Sequence, residues 1–459
     1  MGSRNELKIL AWMIGLFALL FYLPIGSDRF QSAVLESLIL AQWYAREHVL
    51  LCLIPAFFIA GAIGVFVSQN AVMKYFGHQA KKWLSYSVAS VSGTVLAVCS
   101  CTVLPLFGGI YMRGAGLGPA VAFLYSGPAI NVLAIVLTAR VLGWQLGLGR
   151  AIGAVVFSII IGLLMNFIFR EEERAKAAQA GEIHLEEDGN DRPLWQTALY
   201  FFSMVGILVF ANWAQPEEAH GIWYTIFRSK WLLTSVCGLL MGLSLWRFFQ
   251  VKVRLIVLCA LPVPVLARLL PDYPGVAFTG GAIGLAVLTT LAGPQMREWR
   301  DQTWGFAKQI TPLLFVGVLA AGFFLGSPGS DDAGIIPNSW IQALVGDSPL
   351  PLFALFGSTA ETAPGWLAWV WPVWTNFFAS ITGALMYFAT LTEVPILRGL
   401  IDSGMGQGPA LSLLLAGPAL SLPNMLVINS ILGPRKTLTF LGLVVVMATL
   451  SGLIFGAIV

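Results

Sequence analysis

The stretch AVCSCTVLPLFGGIYMRG, which starts at Ala97, sets Cys99 and Cys101 one residue apart, with Ser100 between them and Thr102 beside them. Thiolates are soft ligands, and a trivalent metalloid is a natural guest for a pair of them. Residues two apart on a regular α-helix point in different directions, so converging thiols require local unwinding, which Pro105 and the glycines after it can provide. Cysteine is also small and apolar, and packing is the competing role for each of the two. A structural zinc site is excluded, because no further Cys or His stands nearby. Thiol–disulfide exchange through a strained, labile bond is a second chemistry open to the pair.

A carboxylate is the other candidate. Glu393 lies in a long apolar run, where a charge costs about 2.5–3.5 kcal/mol and marks an ion or proton pathway. Proton coupling is therefore assigned to Glu393, the competing role being a structural partner for Arg398 or Arg140. Ser126, Asn131, Thr390, Thr392 and Asn424 complete the polar candidates for substrate binding. Asn131 and Asn424 can equally bond backbone groups freed where helices break.

These groups need a scaffold, and the composition says which kind. The 459 residues are 57% hydrophobic and only 11% charged, with a mean hydropathy of +0.80. A soluble domain carries about a quarter charged residues. Crossing a hydrocarbon core takes about 20 apolar residues, and the runs 9–25, 48–67, 149–169, 194–211, 310–325 and 437–458 approach or meet that length. With the interrupted stretches added, an all-α polytopic membrane protein of about ten to twelve helices is expected. The first run follows Arg4 and Lys8 but lacks a small-residue cleavage site, so it reads as a retained helix with a cytoplasmic N-terminus. Five cysteines, all in apolar tracts, argue against an extracellular disulfide framework. The net charge of +3 is too small and dispersed for a nucleic-acid partner. The expected partners are the lipid bilayer and a small-molecule or metalloid substrate, with homo-oligomerisation open and no cofactor implied.

The chain is written twice. At an offset of 290, residues 93–143 align without a gap to 383–433, and 15 of the 51 positions are identical. Among the matches are Thr102/Thr392, Pro105/Pro395, Gly109/Gly399, Gly114/Gly404, Gly118/Gly408, Gly127/Gly417 and Pro128/Pro418. Apolar composition explains shared leucines; it does not explain a shared Gly/Pro pattern. Lead-in helices at 54 (IPAFFIAG) and 310 (ITPLLFVG) precede the two copies. The loop after the first holds Lys74, Lys81 and Lys82, and the loop after the second holds Asp331, Asp332 and Asp347. Because Lys and Arg stay on the cytoplasmic side, the two copies are expected to cross the membrane in opposite senses. Inverted repeats of this kind place their site at the repeat interface, at paired helix interruptions. Helix breaks are expected here at Pro105, at Gly127 and Pro128, at Pro395, and at Gly417 and Pro418. The domains are then an N-terminal membrane half (1–169, first repeat 54–143), a hydrophilic cytoplasmic linker (170–193), additional membrane helices (194–300) and a C-terminal half (301–459, second repeat 310–433).

The two blocks CSCTVLPLFGGIYMRGAGLGPAVAFLYSGPAINVLAIVLTARVLG and TEVPILRGLIDSGMGQGPALSLLLAGPALSLPNMLVINSILG resemble the ArsP/YraQ-type bacterial permeases, which include organoarsenical efflux permeases. The likeness covers about a fifth of the chain in these blocks and is poor over 193–300. It implies a permease of the bacterial or archaeal cytoplasmic membrane. By the same likeness, the metalloid contact of members that export trivalent arsenicals falls on Cys99 or Cys101. Two other functions compete. A membrane thiol electron-transfer protein wants cysteines in both copies, but Ala389 and Leu391 stand at the matching positions. A permease for a non-metalloid solute would use the thiols only for packing.

Overall fold

In the computed structural model, the structure describes all residues except 1–9, 11, 16, 19, 67–80, 97–99, 131, 176–192, 214–220, 327–333, 358–363, 387–392 and 403; of a few others, including Ser100, Cys101 and Pro395, only the backbone is described. Among the described residues there is no strand, only an isolated bridge between Gly346 and Met405. Helix α1 (Asp28–Tyr44) leads through a π-helical stretch (Ala45–Leu53) into α2 (Ile54–Phe66). The first repeated block follows as α3 (Lys82–Leu96), α4 (Ser100–Met112), α5 (Leu117–Ala129), α6 (Val132–Val141) and α7 (Trp144–Ile168). Helices α8 (Leu194–Ala211), α9 (Ile222–Arg247), α10 (Val253–Ala260), α11 (Pro262–Leu269) and α12 (Pro274–Leu291) lie between the copies. The long α13 (Pro294–Leu325), the short α14 (Asn338–Val345) and α15 (Leu350–Leu355), and then α16 (Gly365–Leu385), α17 (Glu393–Asp402), α18 (Gln407–Leu420), α19 (Leu422–Leu432) and α20 (Pro434–Ile458) complete the chain.

Adding 290 to the bounds of α5 gives 407–419, and adding it to α7 gives 434–458. These match α18 to within a residue and α20 at both ends. The glycines that close the turns obey the same offset: Gly114 and Gly404 have φ of 92° and 99°, and Gly143 and Gly433 have 105° and 83°. Only glycine holds such a backbone without cost. The packing repeats as well. A methyl group on Gly162 of α7 would lie 2.6 Å from the carbonyl oxygen of Gly118 in α5. At the counterparts, a methyl on Gly452 of α20 would lie 2.5 Å from the Gly408 oxygen in α18. Small residues at these crossings let the two backbones touch, the usual basis of helix association in lipid. Ser90 and Ser158 are 2.8 Å apart between α3 and α7, and Ser380 and Thr449 are 3.3 Å apart between α16 and α20.

The two copies also meet reciprocally. α4 packs on α19 and α6 on α17, while α5 packs on α18 and α7 on α20. Tyr125 donates to the carbonyl of Leu415 at 3.1 Å; Leu415 is its own counterpart at the 290 offset, as happens where two copies meet about a twofold relation. Lys436, at the start of α20, bonds Glu173 just beyond the end of α7. Gly149, at the start of α7, faces Phe455 near the end of α20. These equivalent helices therefore run antiparallel. The lead-in helices do not repeat: α2 packs on α4, whereas α13 packs on α19 and on α2 itself.

Six helical stretches among the described residues are long and apolar enough to cross a membrane, and the pair α18–α19, bent by 48°, makes a seventh if read as one span. The expected ten to twelve also count interrupted stretches, which the structure resolves into shorter helices such as α4 and α8.

The expected helix breaks require correction, because none of the prolines assigned to them interrupts its helix. Pro105 lies within α4, which runs from Ser100 through it; its missing N–H forfeits a single bond, towards residue 101 in the first turn. Pro128 lies inside α5, next to its end at Ala129. Pro418 lies inside α18, and the helix continues past it to Leu420. Gly417 and Pro418 are both buried, in a helix packed against α16 and α20, so tertiary contacts hold the last turn together despite the one lost bond. The breaks come just after these residues, at Ile130 in the first copy and at Ser421 in the second. Pro395 lies in the first turn of α17, where a proline costs no helical bond.

We predict that Gly162→Val and Gly452→Val each destabilise the protein by about 1–3 kcal/mol through overpacking. Gly442→Ala, which faces open space, should leave the thermal midpoint of the detergent-purified protein within error of wild type. Equal midpoints for all three variants would show that the crossings are not tight.

Candidate functional site

Helix α7 brings Arg150 into the centre of the protein, and the structure surrounds it with groups from three other elements. Its Nε donates to the carbonyl of Ala129, the last residue of α5, at 3.3 Å. Its Nη1 donates to the Thr138 hydroxyl of α6 at 3.1 Å and lies 2.5 Å from Oε1 of Glu393, the first residue of α17. Both charged side chains are fully buried. The carbonyl of Ala129 is one of those left without an intrahelical donor where α5 ends, and inside a bilayer such a group needs a partner from the protein. Arg150 thus caps the break of the first copy while neutralising the carboxylate of the second.

The sequence offers Glu393 either a proton to carry or a partner in Arg398 or Arg140. Its ionic partner is Arg150. Five residues on an α-helix rotate about 140°, which carries Arg398 to another face; that side chain is exposed and donates to Val141 at 3.3 Å. The ion contact is close, yet Oε1 and Oε2 of Glu393 and Nη2 of Arg150 make no aligned hydrogen bond among the described residues. Buried polar groups with unmet capacity call for an explanation.

At the break between α18 and α19, Ser421 and Asn424 are buried, and Ser421 Oγ and Asn424 Oδ1 have no hydrogen-bond partner among the described residues. Pro423, between them, lies against Gly317 of α13. Ser126 is accounted for otherwise: its hydroxyl donates to Ala89 of α3 at 3.1 Å and to Phe123 at 3.2 Å, which is helix packing. Thr102 is buried in the first turn of α4. Cys99, Asn131, Thr390 and Thr392 lie outside the described residues, as do the side chains of Ser100 and Cys101. Arg150, Thr138 and Ser421 were not singled out from sequence. Arg150 is the second residue of the run 149–169 and passes there for a boundary charge, although it is the lone basic residue of α7. Ser421 aligns with Asn131, and that match was the available signal.

A second buried ionic cluster lies at one end of the antiparallel pair. Lys436 of α20 bonds Glu173 at 2.6 Å and Glu172 at 2.9 Å, and Tyr111 at the end of α4 donates to Glu173 at 3.2 Å. The start of the hydrophilic linker, expected to be solvated, is docked there, with Glu173 buried.

Residues 35–457 match the family described as a predicted permease, ArsP_1. The chain belongs to this permease family. The matched range includes residues 194–300. The chain is 38% identical over 418 residues to the UPF0718 protein MJ0584 of Methanocaldococcus jannaschii, spanning 90% of this chain and 93% of that protein. Over 79 residues it is 35% identical to the UPF0718 protein YraQ of Escherichia coli, 17% of this chain and 22% of the relative. A putative two-component membrane permease complex subunit of Streptococcus mutans is 23% identical over 175 residues, 38% of this chain and 56% of the relative. No solved structure matches the chain. In this multi-pass membrane permease, the groups at the helix breaks are the candidates for solute contact.

Removing one member of a buried pair strands the other, at a cost of about 3–5 kcal/mol, whereas replacing both with apolar residues of similar volume is near neutral. Arg150→Met is therefore expected to lower the thermal midpoint sharply and Arg150→Met with Glu393→Met to restore most of it. A double variant as unstable as the single one would refute the pairing.

Proposed function

We propose that this permease moves a small solute across the cytoplasmic membrane by alternating access, and that its substrate class is a thiophilic, trivalent organoarsenical-like metalloid exported from the cell. The observation that carries the transport reading is a buried ion pair, Arg150–Glu393, formed where a helix of one repeated unit ends and a helix of the other begins. Helices that stop inside a membrane protein are tolerated where they line a cavity or a site, and transporter sites lie at the repeat interface. The antiparallel course of α7 and α20 supports repeats of inverted topology. In the metalloid reading, Cys99 and Cys101 contact the substrate just ahead of and within the first turn of α4, with Ser100 and Thr102 beside them. Glu393 couples a proton. The family resemblance and the soft character of the thiols support the substrate class.

A non-metalloid solute is the second reading, and one observation favours it: the polar side chains described at the breaks, Arg150, Glu393 and Thr138 at one and Ser421 and Asn424 at the other, include no soft ligand. Electron transfer through the Cys-x-Cys pair ranks below both, because one copy alone has the cysteines. The relative described as a subunit of a two-component complex supports assembly with a second chain, whether another copy or a different protein.

Everted vesicles distinguish the two leading readings. Wild-type vesicles should accumulate trivalent methylarsenite above empty controls. Cys99→Ser with Cys101→Ser should abolish this at equal expression, and Glu393→Gln should remove its dependence on a proton gradient. Accumulation no greater than in empty vesicles would end the arsenical assignment.

A further inference from the structure

We infer that Arg150, at the N-terminus of α17, forms a binding site for an oxyanion group of the transported solute, with the carboxylate of Glu393 as its built-in competitor. The inference rests on the permease reading and names the chemistry of one part of its site. Arg150 is held from its own half of the chain. Ala129 fixes Nε and Thr138 fixes Nη1, so the guanidinium keeps its aim without Glu393. Its Nη2 is fully buried and has no hydrogen-bond partner among the described residues. A guanidinium presents a planar fork that matches carboxylates and tetrahedral oxyanions two bonds at a time; here one prong is held and the other is unmet.

The second contribution comes from backbone. Glu393 is the first described residue of α17, and N–H groups near the start of a helix carry a partial positive charge. Half-helix N-termini of this kind face anionic substrate groups in transporters. Arg150 and the start of α17 are both positive, and the one negative group between them is Glu393, whose Oε2 is also unmet. At the equivalent place, where the roles of the two copies are exchanged, the chemistry is absent. Counterparts of Glu393, Thr138 and Arg150 at the 290 offset are Val103, Ile428 and Phe440, and all three are buried. The fold therefore does not need an ion pair at this place, which leaves the charged version free for a ligand.

Glu393 and Arg150 belong to different halves. When the halves shift, or when a proton neutralises the carboxylate, Arg150 requires another anion, since a buried unpaired cation is heavily disfavoured. A solute oxyanion and a proton on Glu393 then bind together with no net change in charge. The ionisable groups on the elements around the pair are Lys82 and Tyr86 on α3, Tyr125 on α5, Arg140 on α6, Arg398 and Asp402 on α17, and Arg435 and Lys436 on α20. Of these, Tyr125 has its hydroxyl engaged with the carbonyl of Leu415.

The test is calorimetric titration of the full-length protein in lipid nanodiscs with acetate and with inorganic phosphate, planar and tetrahedral probes of the same chemistry. Glu393→Gln, which removes the competing charge, should bind one of them at least tenfold more tightly than wild type. Arg150→Gln with Glu393→Gln, which leaves no stranded charge, should bind neither. In wild type, which needs no variant to fold, affinity should fall as pH rises, by up to about tenfold per unit for one linked proton, and the Glu393→Gln variant should lose that dependence. Equal affinity in wild type and Glu393→Gln, retained binding in the double variant, or a wild-type affinity that does not change with pH would overturn the inference. Proteoliposome flux is read separately. Flux without anion binding rejects this site alone, and anion binding without flux of any solute rejects the permease reading alone.

Discussion

A helix that ends within a bilayer exposes carbonyls or N–H groups where no water can meet them, and much of this fold is an answer to that constraint. The first copy ends α5 at Ala129 and meets the free carbonyl with Arg150 from α7. Bringing a guanidinium there creates a new demand, for a counter-charge, which Glu393 supplies from the opposite copy. The chain of requirements links four elements, α5, α6, α7 and α17. It explains why a charged pair survives in the buried interior of a membrane protein. In the second copy, the matching break at Ser421 is treated differently, with a bend of 48° and two short polar side chains.

The backbone plan is shared by the two copies to within a residue over α5–α7 and α18–α20, while the side chains diverge where the chemistry lies. Glycines hold the common part: Gly118 against Gly162 and Gly408 against Gly452 make the same crossing twice, and Gly114, Gly143, Gly404 and Gly433 make the same turns. Such positions cannot drift without loss of fit, because at the crossings an added side chain would meet the facing helix and at the turns the positive φ disfavours one. Side chains at the breaks carry no such restriction: Arg150 faces Glu393 at one of the two equivalent places, and Val103 and Phe440 stand at the other.

That contrast also explains what could be read from sequence. The repeat was legible because Gly and Pro have conformational roles that no other residue fills, so their spacing survives when everything around them changes. Glu393 stood out because a lone carboxylate in an apolar run is expensive. Arg150 did not, since it stands near the end of its run and its partner is 243 residues away in the chain; pairing of that kind is a property of the folded protein. The breaks expected at Pro128 and Pro418 fall a few residues early for a similar reason. A proline signals where a helix can end, but a helix packed on both sides tolerates one missing bond and runs on for a few residues.

Two identical halves would give a protein equally at home in either of two arrangements that exchange their roles. A buried ion pair that bridges the halves at one of the two equivalent places, with Val103 and Phe440 at the other, removes that degeneracy, because only one arrangement can satisfy it fully. The resting population is then set by a local electrostatic preference, and any ligand or proton that weakens the pair shifts the balance by the difference in its affinity for the two forms. Asymmetry of a few side chains on a symmetric frame is, in this sense, a bias written into the ground state.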